Sequence, residues 1–198
     1  MDYICPGFSA LKYLRIKNSR VVFDQLAGCL NGVSSLSDLV LDGAKMQIFS
    51  AKFMATLHAL VKLNISKCNE LISLEGLRAL SPLERLFIAN CSKFISWGTE
   101  EEMTEDGLPL PNLQYMEIDS CEDLETLPAW LPRLLSLNKL IIIKCPKIHL
   151  LPHDNLPSSL EKLHLIECEP SLTERCQQEG SLEWQMIQHI PDRQYTYY

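Results

Sequence analysis

The chain has 198 residues, 46% of them hydrophobic, and a formal net charge of −7. That length and apolar share suit one packed domain, and the acidic balance argues against a nucleic-acid role driven by overall charge. The aliphatic run Leu140–Ile143 falls far short of the ~18 apolar residues a membrane span needs, and HExxH, GxSxG and glycine-rich phosphate-loop patterns are all missing.

The first residues, MDYICPGFSA, carry neither the basic stretch nor the long apolar run of a secretory signal. From Leu11 a nine-residue phrase begins to recur. Its copies are LKYLRIKNS (Leu11), LSDLVLDGA (Leu36), LVKLNISKC (Leu60), LERLFIANC (Leu83), LQYMEIDSC (Leu113), LNKLIIIKC (Leu137) and LEKLHLIEC (Leu160). The fourth and sixth residues are apolar and the third, fifth and seventh are free, which predicts a short strand with one buried face. One such strand cannot bury that face alone. Copies spaced 25, 24, 23, 30, 24 and 23 residues apart match the leucine-rich-repeat signature, L-x-x-L-x-L-x-x-(N/C), whose units stack into a solenoid.

The expected fold is therefore a β-dominated α/β solenoid, with a parallel concave sheet of about seven short strands and a mostly irregular convex side. A second apolar set, Leu71 and Leu74, Phe94 and Trp97, Leu124 and Leu127, Ile148 and Leu151, should build the next wall of the core. Pro128 and Pro152 then interrupt any regular element. The 30-residue interval holds an insertion from Gly98 to Pro111 with Glu100, Glu101, Glu102, Glu105 and Asp106. These acids read as a solvated loop or as a contact for a basic surface; they lack EF-hand spacing.

Residues 1–168 hold the repeats, and 169–198 fall out of the pattern. Trp184, Tyr195, Tyr197 and Tyr198 make that tail large enough to cover the last coil, so it reads as a C-terminal cap. No comparable lid precedes Leu11, so the chain reads as the C-terminal part of something longer, or as a truncated product.

Eight cysteines raise the question of disulfides or zinc. Cys68, Cys91, Cys121, Cys145 and Cys168 hold one register, ninth in the phrase, which packing explains without bonds. Cys5, Cys29 and Cys176 read as ordinary small apolar residues, and no CxxC or CxxxC pair occurs. Reduced thiols point to the cytoplasm or nucleus. His149 and His153 are four apart, but Pro152 between them spoils a helical metal site. No metal, cofactor or catalytic residue is expected.

Three phrases then point to a family. They are Cys145-Pro146-Lys147, Leu156-Pro157-Ser158-Ser159-Leu160, and the tail series Glu174-Arg175-Cys176, Gly180, Glu183-Trp184, Ile187 and His189-Ile190-Pro191. With the repeats, they resemble the C-terminal leucine-rich-repeat region of plant intracellular immune receptors, the coiled-coil, nucleotide-binding disease resistance proteins. The tail is similar to the ERC…G…DW…I…HIP ending of many cereal members, with Glu183 in place of the usual Asp. The full receptor binds ATP, as the resemblance implies, but no GxxxxGK[ST] loop stands in these residues.

The free strand positions should line the concave side. The third holds Tyr13, Asp38, Lys62, Arg85, Tyr115, Lys139 and Lys162. The fifth holds Arg15, Val40, Asn64, Phe87, Glu117, Ile141 and His164, and the seventh Lys17, Asp42, Ser66, Ala89, Asp119, Ile143 and Ile166. The third column is largely basic or aromatic in an acidic chain, and aromatic, Arg and Ile side chains anchor protein interfaces. The candidate partner-binding residues are Tyr13, Arg15, Lys17, Lys62, Arg85, Phe87, Tyr115, Glu117, Lys139, Ile141, Lys162 and His164. The expected partner is a protein. By the resemblance it is a pathogen effector or the receptor's own nucleotide-binding domain. The alternatives are a stand-alone repeat scaffold or inhibitor, and an enzymatic role, as an unrecognised hydrolase or a ubiquitin-ligase adaptor, which would need an F-box-like segment.

Overall fold

In the computed structural model, residues 10–19, 33–98, 110–152 and 154–196 are described, apart from the Arg78 side chain. The readings on Cys5, Cys29, the acids of the insertion, His153, Tyr197 and Tyr198 lie outside these residues.

Each copy of the phrase forms a five-residue strand over its third to seventh residues. In chain order the strands are β1 (Tyr13–Lys17), β2 (Asp38–Asp42), β3 (Ile48–Phe49), β4 (Lys62–Ser66), β5 (Ser73–Leu74), β6 (Arg85–Ala89), β7 (Tyr115–Asp119), β8 (Lys139–Ile143), β9 (Lys162–Ile166) and β10 (Asp192–Thr196). The helices are α1 (Ala51–Met54), α2 (Pro170–Gln177) and α3 (Leu182–Ile187), with 3-10 turns at Leu77–Ala79 and Leu131–Arg133.

Eight strands form one parallel sheet in the order β1-β2-β4-β6-β7-β8-β9-β10. Pairing is in register, third residue to third: Tyr13 opposite Asp38, Asp38 opposite Lys62, Lys62 opposite Arg85, and so on to Lys139 opposite Lys162. Register is enforced by the side-chain period of two, since a one-residue slip would turn every leucine outward. The fourth and sixth residues from Leu39 and Leu41 through Leu163 and Leu165 are wholly buried. On the opposite wall Leu71, Leu74, Phe94, Leu124 and Ile148 are wholly buried too, and Leu127 and Leu151 nearly so. Among the described residues this convex side carries only short pieces: α1, the two 3-10 turns and the β3–β5 pair.

The turn after each strand has a common conformation. Its eighth residue has positive φ in all seven copies: Asn18 (49°), Gly43 (70°), Lys67 (56°), Asn90 (54°), Ser120 (52°), Lys144 (52°) and Glu167 (54°). That geometry turns its N–H onto the next strand, as in Lys67 N–H to Ala89 O (2.9 Å) and Ser120 N–H to Ile143 O (2.9 Å). The ninth-position thiols then point inward, all buried and free. Cys145 Sγ lies 3.3 Å from Ile143 O in its own turn and 3.9 Å from Ile118 O of the preceding strand. Cys168 does the same with Ile166 O (3.6 Å) and Ile142 O (3.4 Å).

The tail departs from the expected seven-strand sheet. It folds as α2 and α3 and then returns as β10, an eighth strand parallel to β9. Ile190 stands where a leading leucine would, fully buried, but Arg193 occupies the usual leucine of the fourth position. Pairing with β9 therefore makes this strand, not side-chain periodicity. Leu172, Cys176, Ile187 and Ile190 close the last coil, with Tyr195 packed partly against it. Trp184, expected to provide cover, is only half-buried and stands apart from that core.

The family phrases of the tail meet here. Arg175 donates through Nε to Glu183 Oε1 (2.6 Å) and through Nη2 to the His149 carbonyl (2.5 Å). The His189 ring nitrogen contacts the Pro157 carbonyl at 3.1 Å, joining the tail to the Leu156–Leu160 phrase. Ser181 Oγ accepts from Trp184 N–H (3.0 Å) and caps α3.

Candidate functional site on the concave face

The third, fifth and seventh residues of the strands face away from the core. Register aligns them in three rows across the sheet, but the side chains do not stand free as a column-by-column reading implies. Arg15 donates to Asp42 at 2.6 Å, from the fifth position of one copy to the seventh of the next. Lys62 lies 3.4 Å from Asp38. At the far end, Lys162 lies 2.5 Å and His164 3.4 Å from Asp192, a residue of the eighth strand. The hydrogen bond from Arg15 holds the Asp42 carboxyl below the usual carboxylate range. Lys162 and then His164 do the same for Asp192. Arg15, Lys62, Lys162 and His164, four of the expected binding residues, thus have carboxylate partners inside the chain.

The middle of the face differs. Phe87 and Tyr115 sit with ring centroids 4.9 Å apart on adjacent strands. Lys139 Nζ stands 5.1 Å from the Tyr115 ring centre, within cation–π range. The Tyr115 hydroxyl donates to Glu117 on the same strand. Burial and then that hydrogen bond push the Tyr115 phenol above its ordinary value. Arg85 stands beside Tyr115 across the β6–β7 pairing. Ile141 is only 8% exposed, so it supports its neighbours more than it offers surface. Ile143 and Ile166, one row on, are half-exposed and adjacent. Tyr13, Arg15 and Lys17 lie exposed on β1, four strands from Tyr115 in the sheet order.

The candidate residues therefore fall into two groups. Phe87, Tyr115, Glu117, Lys139 and Ile141 form one contiguous cluster with Arg85 at its edge. Tyr13, Arg15, Lys17, Lys62, Lys162 and His164 lie to either side, most of them tied to neighbours. Sequence reasoning missed Asp192, whose strand has no leucine pattern to announce it. Among the described residues, no group of three or more His, Cys, Asp or Glu side chains is placed to hold a metal ion. None of the described helices is long and apolar enough to cross a membrane.

In-register strands with leucines behind and thiols at each bend define a leucine-rich-repeat solenoid. The chain is similar to plant disease-resistance proteins, as its repeats and tail phrase imply. It is 30% identical over 128 residues to the protein SUPPRESSOR OF npr1-1, CONSTITUTIVE 1 of Arabidopsis thaliana, covering 58% of this chain and 9% of that protein. It is 35% identical over 69 residues to a probable disease resistance protein of the same plant, covering 35% of this chain and 16% of that one. The chain thus spans a small part of either relative's length. No family model matches it. Among solved structures, a leucine-rich-repeat protein of Leptospira interrogans aligns with a TM-score of 0.42 and 18% identity, over 85% of this chain and 44% of that one.

Proposed function

We propose that the chain is a protein-recognition module of a plant intracellular immune receptor. Its concave face binds a pathogen effector or the nucleotide-binding domain of the same receptor. Residues 1–168 form the leucine-rich repeats that carry this face, residues 169–198 cap them, and the module works in the cytoplasm or nucleus. The main support is the Phe87–Tyr115 pair with Lys139 over it, at the centre of the sheet face. Large aromatic side chains at the middle of a rigid surface are where binding energy concentrates. A sheet built from stacked backbone needs no ordering on binding, which lowers the entropic cost. The relative named as a probable disease resistance protein supplies the immune context.

The test is a charge-reversed full-length receptor carrying Lys62→Glu, Arg85→Glu and Lys139→Glu. A matched control carries Lys52→Glu, Lys93→Glu and Arg133→Glu, all exposed and off the concave face. The concave variant should lose at least about tenfold in affinity for the isolated nucleotide-binding domain, or trigger effector-independent cell death in leaves. The control should do neither. An unchanged concave variant in both assays overturns the reading.

A further inference from the structure

Resting on that reading, we propose that this face selects an acidic segment. Its carboxylates lie along the starts of β6 to β8, and a large apolar side chain seats on Phe87 and Tyr115. The row of third positions runs Lys62, Arg85, Tyr115, Lys139, Lys162 across adjacent strands. The outer two cations have internal counter-charges, Asp38 at 3.4 Å and Asp192 at 2.5 Å. Among the described residues, Arg85 and Lys139 form no ion pair. They flank Tyr115 from either side, so the uncompensated charge surrounds the aromatic seat.

The carboxylates of the same strand face are differently placed. Glu117 accepts from the Tyr115 hydroxyl, and Asp119 accepts from Ser120 Oγ at 2.8 Å. Asp119 also lies four residues further along β7, roughly 13 Å from the third-position row. Over β6 to β8 the face is thus polarised along its strands: Arg85 and Lys139 flank Tyr115 at their starts, and Ala89, Asp119 and Ile143 stand at their ends. A partner covering the Phe87–Tyr115 seat must desolvate Arg85 and Lys139, and desolvating an unpaired charge is costly. A basic partner adds repulsion, whereas carboxylates supply the missing counter-charge. Arg85 and Lys139 stand two strands apart, roughly 10 Å. That separation suits carboxylates about three residues apart in a polyproline-II segment or about seven apart on a helix.

The experiment selects random 12-residue peptides displayed on phage against the full chain, with counter-selection on a Phe87→Ala/Tyr115→Ala variant. Enriched peptides should be net acidic with at least one large apolar residue. Their affinity should fall at least tenfold for Arg85→Glu/Lys139→Glu and hold for Lys52→Glu/Lys93→Glu. It should weaken as salt rises from about 0.05 to 0.5 M. Arg85→Gln/Lys139→Gln gives the same readout, as a smaller loss, should the reversed variant not fold. Enriched peptides that are neutral or basic, or indifferent to Arg85 and Lys139, overturn the proposal while leaving recognition by this face intact. Failure to enrich any peptide over the Phe87→Ala/Tyr115→Ala variant counts against both.

Discussion

Residues at the eighth position of the phrase are free by the repeat pattern, yet all seven adopt left-handed backbone. Asn18, Gly43 and Asn90 favour that region; Lys67, Ser120, Lys144 and Glu167 do not. The stacked strand imposes it, because only this turn brings the N–H onto the next carbonyl. A β-branched residue there is the most strained choice, so Ser120→Val should lower unfolding stability by about 1–3 kcal/mol in urea titration. Ser120→Gly should leave stability nearly unchanged. The thiol ladder, by contrast, is legible at residue level, since five cysteines share one register. Burial pushes Cys168 and Cys176 up to about 12. Hydrogen bonds donated by Cys91 to Cys68 and by Cys121 to Cys145, with burial, push Cys91 and Cys121 up as well, and the same bonds lower Cys68 and Cys145. Because all six described thiols are buried, iodoacetamide at pH 8 should spare them in the native chain, as read by peptide mass mapping, and modify them in urea. Rapid native labelling of any of them would contradict their burial.

Among elements, the strands are unequal. Leu140 of β8 is wholly buried between two packed repeats, while Leu14 of β1 is half-buried at an edge of the sheet. Leu140→Ala should destabilise by about 2–5 kcal/mol and Leu14→Ala by clearly less, measured by chemical denaturation. The tail helices are tied to the repeats by Arg175, which reaches Glu183 and the His149 carbonyl. Arg175→Met leaves the 8%-exposed Glu183 without its partner and should destabilise by about 1–3 kcal/mol. Hydrogen exchange should then rise first in β10, the edge strand that the tail delivers to the sheet. Uniform exchange across all strands would mean that the tail is not a separable unit.

For the molecule as a whole, acid should weaken the sheet along its open face. The carboxyls of Asp42, Asp192 and, at the α2 N-cap, Glu169 all titrate below their ordinary range in the folded chain. The pKa of each is lowered by folding, so each contributes stability above the ordinary carboxylate range, about pH 4. That contribution is lost as pH falls through the lowered folded values. Midpoints of urea unfolding should accordingly drop between about pH 5 and 3. Asp42→Asn should start lower and fall less steeply; an identical slope would remove the Arg15–Asp42 pair from the account.

Seven copies of L-x-x-L-x-L were enough to determine the repeat, the buried leucine and thiol columns, and the parallel stacking. Each unit has one apolar face that only another unit can cover. Which concave residues are available to a partner was decided by tertiary structure alone. Arg15 meets Asp42, and Lys162 meets Asp192, across strand pairs. A periodic reading assigns side chains to faces, not to neighbours. Asp192 lies on a strand that backbone pairing creates without any leucine pattern. Partners 27 and 30 residues apart become neighbours only when the register between strands is set, and that register is a property of the packed sheet.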